Sequence, residues 1–357
     1  VKIQITKTKS IDWTPPWEAN AASVNDIVGI ELNSGHDEGC PAVRLRRHKG
    51  KIGVVAVGFI KAPELVLPQG WDDLRKQTRL NVPAPFRAAN AAFSINSHEA
   101  STRQAAAESL LLQDGEGAEN VAQSKDGVRS VFRRMADQNS VLQASMPEYQ
   151  VLWMSRLIPE SKKPRVISIQ TSPCALLASI AAQPHFCEEN DEMAIFVTET
   201  TITLACFRKG IPLLLRDCPV VEGVQAMREA VKMTLGLDDT MLETVFSNNS
   251  IIDPRPALEP LLASVVSQID LTLDYVKSRL NSEPKRLFLM GNAIGCSIFQ
   301  RIIGSRLSLP LVSPSPFDGL ELPARGSEWK NRYCIGDASS RFILALGAAL
   351  AVMEEAK

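Results

Sequence analysis

A pattern that occurs twice constrains this chain more than any other feature. In the first half, Asp26 to Leu32, Ala42 to His48 and Lys51 to Ile60 are three consecutive β-like runs, the last two joined by Lys49-Gly50 as a hairpin. The second half restarts with Met193 to Thr198, Thr201 to Arg208 and Pro212 to Asp217, with Lys209-Gly210 between the last two. Three strands in succession begin a sheet with antiparallel pairs, and their recurrence reads as an internal duplication. Helical patterns follow each triplet. Pro147-Glu148 opens a helix to Leu157, and a strand from Arg165 to Gln170 precedes a helix over 174–182. A long helix over about 257–280 places Leu262, Val265, Val266, Ile269, Leu273, Val276 and Leu280 at three- and four-residue spacing, which is a core-facing stripe. A strand from Arg286 to Met290, a helix from Ile294, a short strand near Leu309 to Val312 and a helix from Ser340 complete the pattern. The class is α/β, with mixed sheets flanked by helices. Residues 61–145 read as alternating helical and extended pieces, with Asn96 and Glu99 capping a helix over the Ala-rich 100–112.

Composition removes several function classes. With 357 residues the chain is long enough for a two-lobed body with a large core. A net charge of -1 gives no electrostatic reason to bind nucleic acid or an anionic membrane. The 7 cysteines include no CxxC pair, which reads as free thiols in a reducing compartment. Cys174, beside Ser172-Pro173, is read as a packing residue. No secretory leader is legible at Val1, and the run from Phe342 to Met353 is too short to span a bilayer, so membrane association is expected through a partner. His36-Asp37-Glu38 with Cys40 has metal-capable atoms but lacks zinc spacing, and reads as a solvated turn. No G-x-S-x-G elbow, Walker A loop or G-x-G-x-x-G fingerprint occurs, which weakens hydrolase, P-loop and dinucleotide-binding readings.

Four strings in order along the chain carry a family resemblance. Ile27-Val28-Gly29-Ile30-Glu31-Leu32-Asn33-Ser34-Gly35 resembles a first phosphate loop written roughly VGIDIGSS. Gln268 to Tyr275 is similar to the long-helix pattern EI-x-RSL-x-Y without its Arg, and Arg286 to Ala293 is similar to the adenosine-side turn LSGGGA. Phe342 to Ala351, with Gly347, resembles a closing helix A-x-GLAL. Together they resemble the PilM family of type IV pilus machinery, relatives of FtsA in the actin-like superfamily, as a divergent member. The resemblance covers about residues 25–353.

That resemblance implies an actin-like (ribonuclease H-like) two-lobed fold with inserted subdomains. It places a leader arm at 1–23, containing Trp13 and Trp17, before the first lobe's main subdomain at 24–60, 146–185 and 339–357. A small inserted subdomain at 61–145, a second-lobe main subdomain at 186–220 and 284–338, and its insertion at 221–283 complete the division. It also implies ATP and Mg²⁺ as cofactors, but at a site so altered that weak or absent binding and a degenerate, non-hydrolysing site are expected. Nucleotide-binding positions fall on Asn33, Ser34, Gly35, Thr198, Thr200, Glu243, Gly291 and Asn292, with Glu31 facing the metal. Phosphate turns need glycine for close backbone approach and carboxylates for the metal. Here Glu31 and Asn33 replace the usual Asp and Gly. The second turn, Phe196 to Thr201, lacks both Asp and Gly, and Asn292 and Ala293 take glycine positions. No catalytic residue is assigned.

The expected function is a cytoplasmic scaffold at the inner face of the inner membrane. It would grip the cytoplasmic N-terminal tail of a PilN-like bitopic protein in a groove beside the inserted 61–145 region. The rivals are a competent actin-like ATPase or sugar-kinase-like phosphotransferase, with Glu31, Glu199 and Asp217 as candidate carboxylates, and a polymerising scaffold.

Overall fold

The structure is a computed structural model. It describes residues 24–32, 38–62, 65–75, 79–95, 97, 99–106, 122–125, 127–135, 140–159, 161–184, 186, 190–198, 201–218, 223–246, 252–323, 328–334 and 336–354. The leader at 1–23 lies outside this set.

The duplication is plain in the topology. In the first sheet β1 (Asp26–Leu32), β2 (Cys40–His48) and β3 (Lys51–Ile60) form an antiparallel meander. To it β4 (Asn90–Ile95) and β9 (Arg165–Thr171) add in parallel, for the order β3-β2-β1-β4-β9. The second sheet repeats this with β10 (Asp191–Val197), β11 (Ile202–Arg208), β12 (Ile211–Asp217), β13 (Leu287–Gly291) and β14 (Leu311–Val312), in the order β12-β11-β10-β13-β14. Even the hairpins agree. Lys49 and Gly50 have φ of 50° and 80°, while Lys209 and Gly210 have 50° and 79°. Two positive φ values in a two-residue loop give the turn whose twist matches the flanking strands. A register shift follows in each hairpin, between Arg44 and Leu45 and between Cys206 and Phe207.

A third sheet, β5 (Ser101–Ala106), β8 (Ser140–Pro147), β7 (Val128–Arg134) and β6 (Ala122–Lys125) in that order, is antiparallel throughout. It corrects the helix expected over 100–112 in its described part, 101–106, while 107–112 lie outside the described residues. Residues 101–106 form a ladder with β8, and the sheet's cross-strand hydrogen bonds override the helix propensity of Ala105 and Ala106. Asn96, the expected cap, lies outside the described residues. Glu99 instead accepts hydrogen bonds from Tyr149 Oη and Gln150 Nε2. A second correction concerns the boundary at 61–145, because β4 falls within that stretch yet pairs with β1 and β9 at the heart of the first sheet.

Eight helices are described. They are α1 (Glu148–Arg156), α2 (Ser172–Ala181), α3 (Gly223–Leu235), α4 (Asp239–Val245), α5 (Arg255–Leu280), α6 (Ala293–Ile303), α7 (Glu328–Tyr333) and α8 (Ile343–Glu354). The stripe read on α5 points inward as expected, with Leu262, Val265, Ile269 and Val276 buried against the outer face of the second sheet. Helix α8 is apolar on every side, which suits a helix enclosed all round. It lies between the first sheet and α2, and glycines let both neighbours come close. A Cβ on Gly29 would lie 1.8 Å from Ala345 O, and one on Gly347 would lie 1.9 Å from Ala175 O. Ser179 Oγ donates to Ile343 O at 2.9 Å across the same contact. The inner face of the second sheet, through Phe196, Phe207 and Phe288, packs on α2 and on Ile343 and Leu344 of α8, so one core joins the lobes.

Candidate functional site

The parallel strands β1, β10 and β13 end at the turns that the sequence singled out, and crevices beyond the carboxyl ends of such strands are the usual ligand sites of α/β sheets. At the first turn Asn33, Ser34 and Gly35 lie outside the described residues, but the last turn of β1 is clear. Glu31 stands opposite Ser94 of β4, which stands opposite Gln170 of β9, making a polar row across three strands. All three are buried. Burial pushes the Glu31 carboxyl up to about 8, so the acid is largely protonated at neutral pH. Gln170 Nε2 donates to Ser168 Oγ at 3.2 Å and to Ala348 O at 3.0 Å. Ser94 Oγ and Gln170 Oε1 have no hydrogen-bond partner among the described residues. A divalent cation of the Mg²⁺ kind requires ionised or strongly polar oxygens and several waters. Among the described residues the row offers one carboxyl, one hydroxyl and one carboxamide, a donor set with a single ionisable group. Cys40 lies close enough to feel Glu31, and burial raises its thiol to about 11, so it is an inert packing residue.

The second turn closes on itself. Thr198 N donates to Thr201 O at 2.8 Å, and Thr201 N donates to Thr198 Oγ1 at 2.9 Å. The two threonine hydroxyls also share a bond at 2.9 Å. Two backbone N–H groups that a phosphate turn would present outward are therefore spent inside the turn. Glu199 and Thr200 lie outside the described residues. Thr198 O accepts from Val224 N at 3.1 Å, which fixes the start of α3 to this turn.

The third turn sits beside the second. Asn292 N donates to Val197 O at 2.6 Å, and Gly291 adopts φ +124°. A Cβ there would lie 2.0 Å from the same Val197 oxygen. The glycine is thus required by the approach of β13 to β10, whatever else it does. Asn292 O accepts from Cys296 N at 2.9 Å and so starts the bonding of α6. Thr198, Gly291 and Asn292 are brought together in this way. Glu243 lies on α4, whose start is capped by Asp238 Oδ1 accepting from Met241 N at 2.8 Å; the Glu243 side chain is outside the described set. Asp217 is exposed at the end of β12 and accepts the Thr203 hydroxyl at 2.6 Å.

Sequence reading missed one feature. Beyond the ends of β13 and β14 a cavity of about 290 Å³ opens between α6, the loop Ser313 to Pro316 and the segment entering α8. The signal was present in Ser313-Pro314-Ser315-Pro316 and Ser339-Ser340, two serine-rich strings far apart in the chain. Only the fold puts them around one cavity.

No protein-family model matches the chain, and no curated protein does. Solved structures do. A chain of a "PilM-PilN type IV pilus biogenesis complex" is 15% identical with a TM-score of 0.64, over 92% of this chain and 98% of that one. A protein of Bacteroides thetaiotaomicron described as having an actin-like ATPase fold is 10% identical, over 82% and 92% of the two chains, with a TM-score of 0.42. An archaeal actin homolog is 12% identical, over 91% and 98%, with a TM-score of 0.41. The fold is read from the first of these and from the duplicated sheets: it is the actin-like α/β architecture, with mixed sheets and flanking helices.

Proposed function

We propose that this chain is a PilM-like scaffold of a type IV pilus or related secretion assembly platform, binding the cytoplasmic N-terminal tail of a PilN-like bitopic inner-membrane protein. The observation that carries the reading is the shared architecture, along 92% of the chain, with a protein whose complex contains PilN. Three features support a part played by binding and not by turnover. The carboxyl at Glu31 is held protonated by burial. The N–H groups of Thr198, Thr201 and Asn292 are committed within the protein. Among the described residues the polar row beside Glu31 brings no second ionisable group to share a cation. If ATP binds at all, it would lie among Asn33, Ser34, Gly35, Thr198, Thr200, Glu243, Gly291 and Asn292, without a competent metal centre to polarise it.

The tail would lie between the first sheet and the four-stranded sheet. There Trp71 is 52% exposed and packs edge-on against Tyr149 at 6.1 Å between ring centroids. A half-exposed aromatic on a fixed partner is a suitable anchor for an extended segment. No helix among the described residues is long and apolar enough to cross a membrane, so a partner's tail would supply the association with the inner face of the inner membrane.

Fluorescence anisotropy tests the reading, using labelled peptides from the cytoplasmic tails of bitopic proteins encoded beside this chain. Saturable binding that weakens in Trp71→Ala is expected. If every tail fails to bind, the scaffold assignment is lost.

A further inference from the structure

We propose that the cavity beyond β13 and β14 binds a neutral polyhydroxy molecule of the monosaccharide class, held where the two lobes meet. The inference is independent of the tail-binding reading. One wall belongs to the second lobe, with Met290 and Gly291 at the end of β13 and Ser297 and Gln300 on α6. The opposite wall is Ser339, Ser340 and Ile343, where the chain enters α8 in the first lobe. Ser313 and Ser315, on the loop after β14, complete the lining.

The chemistry of this lining is selective. None of the described lining residues carries a charge, so an anion entering would lose hydration without a counter-charge. None is aromatic either, so no plane is offered on which a nucleobase could stack. The lining instead has five serines and one carboxamide, and the hydroxyls of Ser297 and Ser315 can both donate and accept. Vicinal hydroxyls of a polyol need that dual capacity. Leucine, methionine, isoleucine and proline side chains supply apolar wall for the C–H faces.

The site is also braced in advance. Ser313 Oγ donates to Leu289 O at 3.3 Å, which leaves its lone pairs as acceptors. Ser315 N donates to Asp318 Oδ2 at 3.0 Å, and Asp318 N donates to Ser315 O at 3.0 Å. From the first lobe, Gln183 Nε2 donates to Pro316 O at 3.3 Å, tying the loop to the segment that follows α2. These bonds tie the loop to both lobes without a ligand. Because both lobes contribute walls, occupancy would favour one relative position of the lobes.

Isothermal titration of the full chain with D-ribose, D-glucose and myo-inositol tests the proposal, with sodium phosphate and adenosine as controls. A small neutral ligand in such a site should bind with Kd on the order of 1 mM. Two variants localise the binding. Ser297→Leu fills the cavity, and Gln300→Ala removes the amide from an exposed helix position where the fold is undisturbed. Saturable binding of at least one polyol, weakened about tenfold or more in either variant, is the expected result. The proposal is overturned if no polyol binds, if phosphate or adenosine binds while the free polyols do not, or if polyol binding is unchanged in both variants.

Discussion

Substituting Gly347 by Ala should destabilise the protein even though alanine is the better helix former. The added Cβ would lie 1.9 Å from Ala175 O and 2.5 Å from Ser179 Oγ. Real Cβ contacts essentially never fall below 3.0 Å, so α8 and α2 must part by 3.0 minus 1.9, or 1.1 Å. Overpacking of this kind costs about 1–3 kcal/mol. The same movement stretches the 2.9 Å bond from Ser179 Oγ to Ile343 O, a loss of about 1 kcal/mol. Against this stands a propensity gain of about 1 kcal/mol for replacing glycine within a helix. The net is a loss of about 2 kcal/mol. Urea unfolding followed by circular dichroism measures it, with Gly53→Ala as the control, since a Cβ at Gly53 meets nothing closer than 3.5 Å. A Gly347→Ala protein as stable as the wild type would refute the argument, because propensity would then outweigh contact.

Three further outcomes follow from named groups. Glu192 is fully buried and paired with Arg286 at 2.6 Å, so Arg286→Leu should cost about 3–5 kcal/mol in urea unfolding, and adding Glu192→Gln should recover part of it. Glu31 has a folded pKa of about 8 against an ordinary 4.5, so its contribution to stability is complete below about pH 4.5 and is lost as pH rises toward 8. Glu31→Gln should remove that slope, and the variant should exceed wild type most clearly near pH 8; parallel slopes in the two proteins would disprove it. In a thermal-shift series with Mg²⁺-ATP, the proposed scaffold role predicts an unchanged melting temperature, whereas a concentration-dependent rise would favour the ATPase reading.

Local chemistry was enough to read most of the architecture. The strand triplets, both Lys-Gly hairpins and the α5 stripe follow from turn residues and periodicity, which act over a few neighbours. Over 101–106 the expected helix gave way to a strand because Ala105 and Ala106 follow β8, a strand nearly forty residues away, instead of their own propensity. The residue identities at the ends of β1, β10 and β13 were also visible. What those identities mean was not, because composition does not say where an N–H points.

By itself, then, the order of residues determined a duplicated α/β chain with unusual turns at the ends of its strands. Tertiary structure decided the rest. It made Glu31 a protonated acid by burying it beside Ser94 and Gln170, and it gave Gly291 a packing reason by setting β13 against Val197. It also built one cavity from serines more than twenty residues apart. Each of these depends on dielectric surroundings or on contact between distant segments, quantities that exist only once the chain has closed on itself.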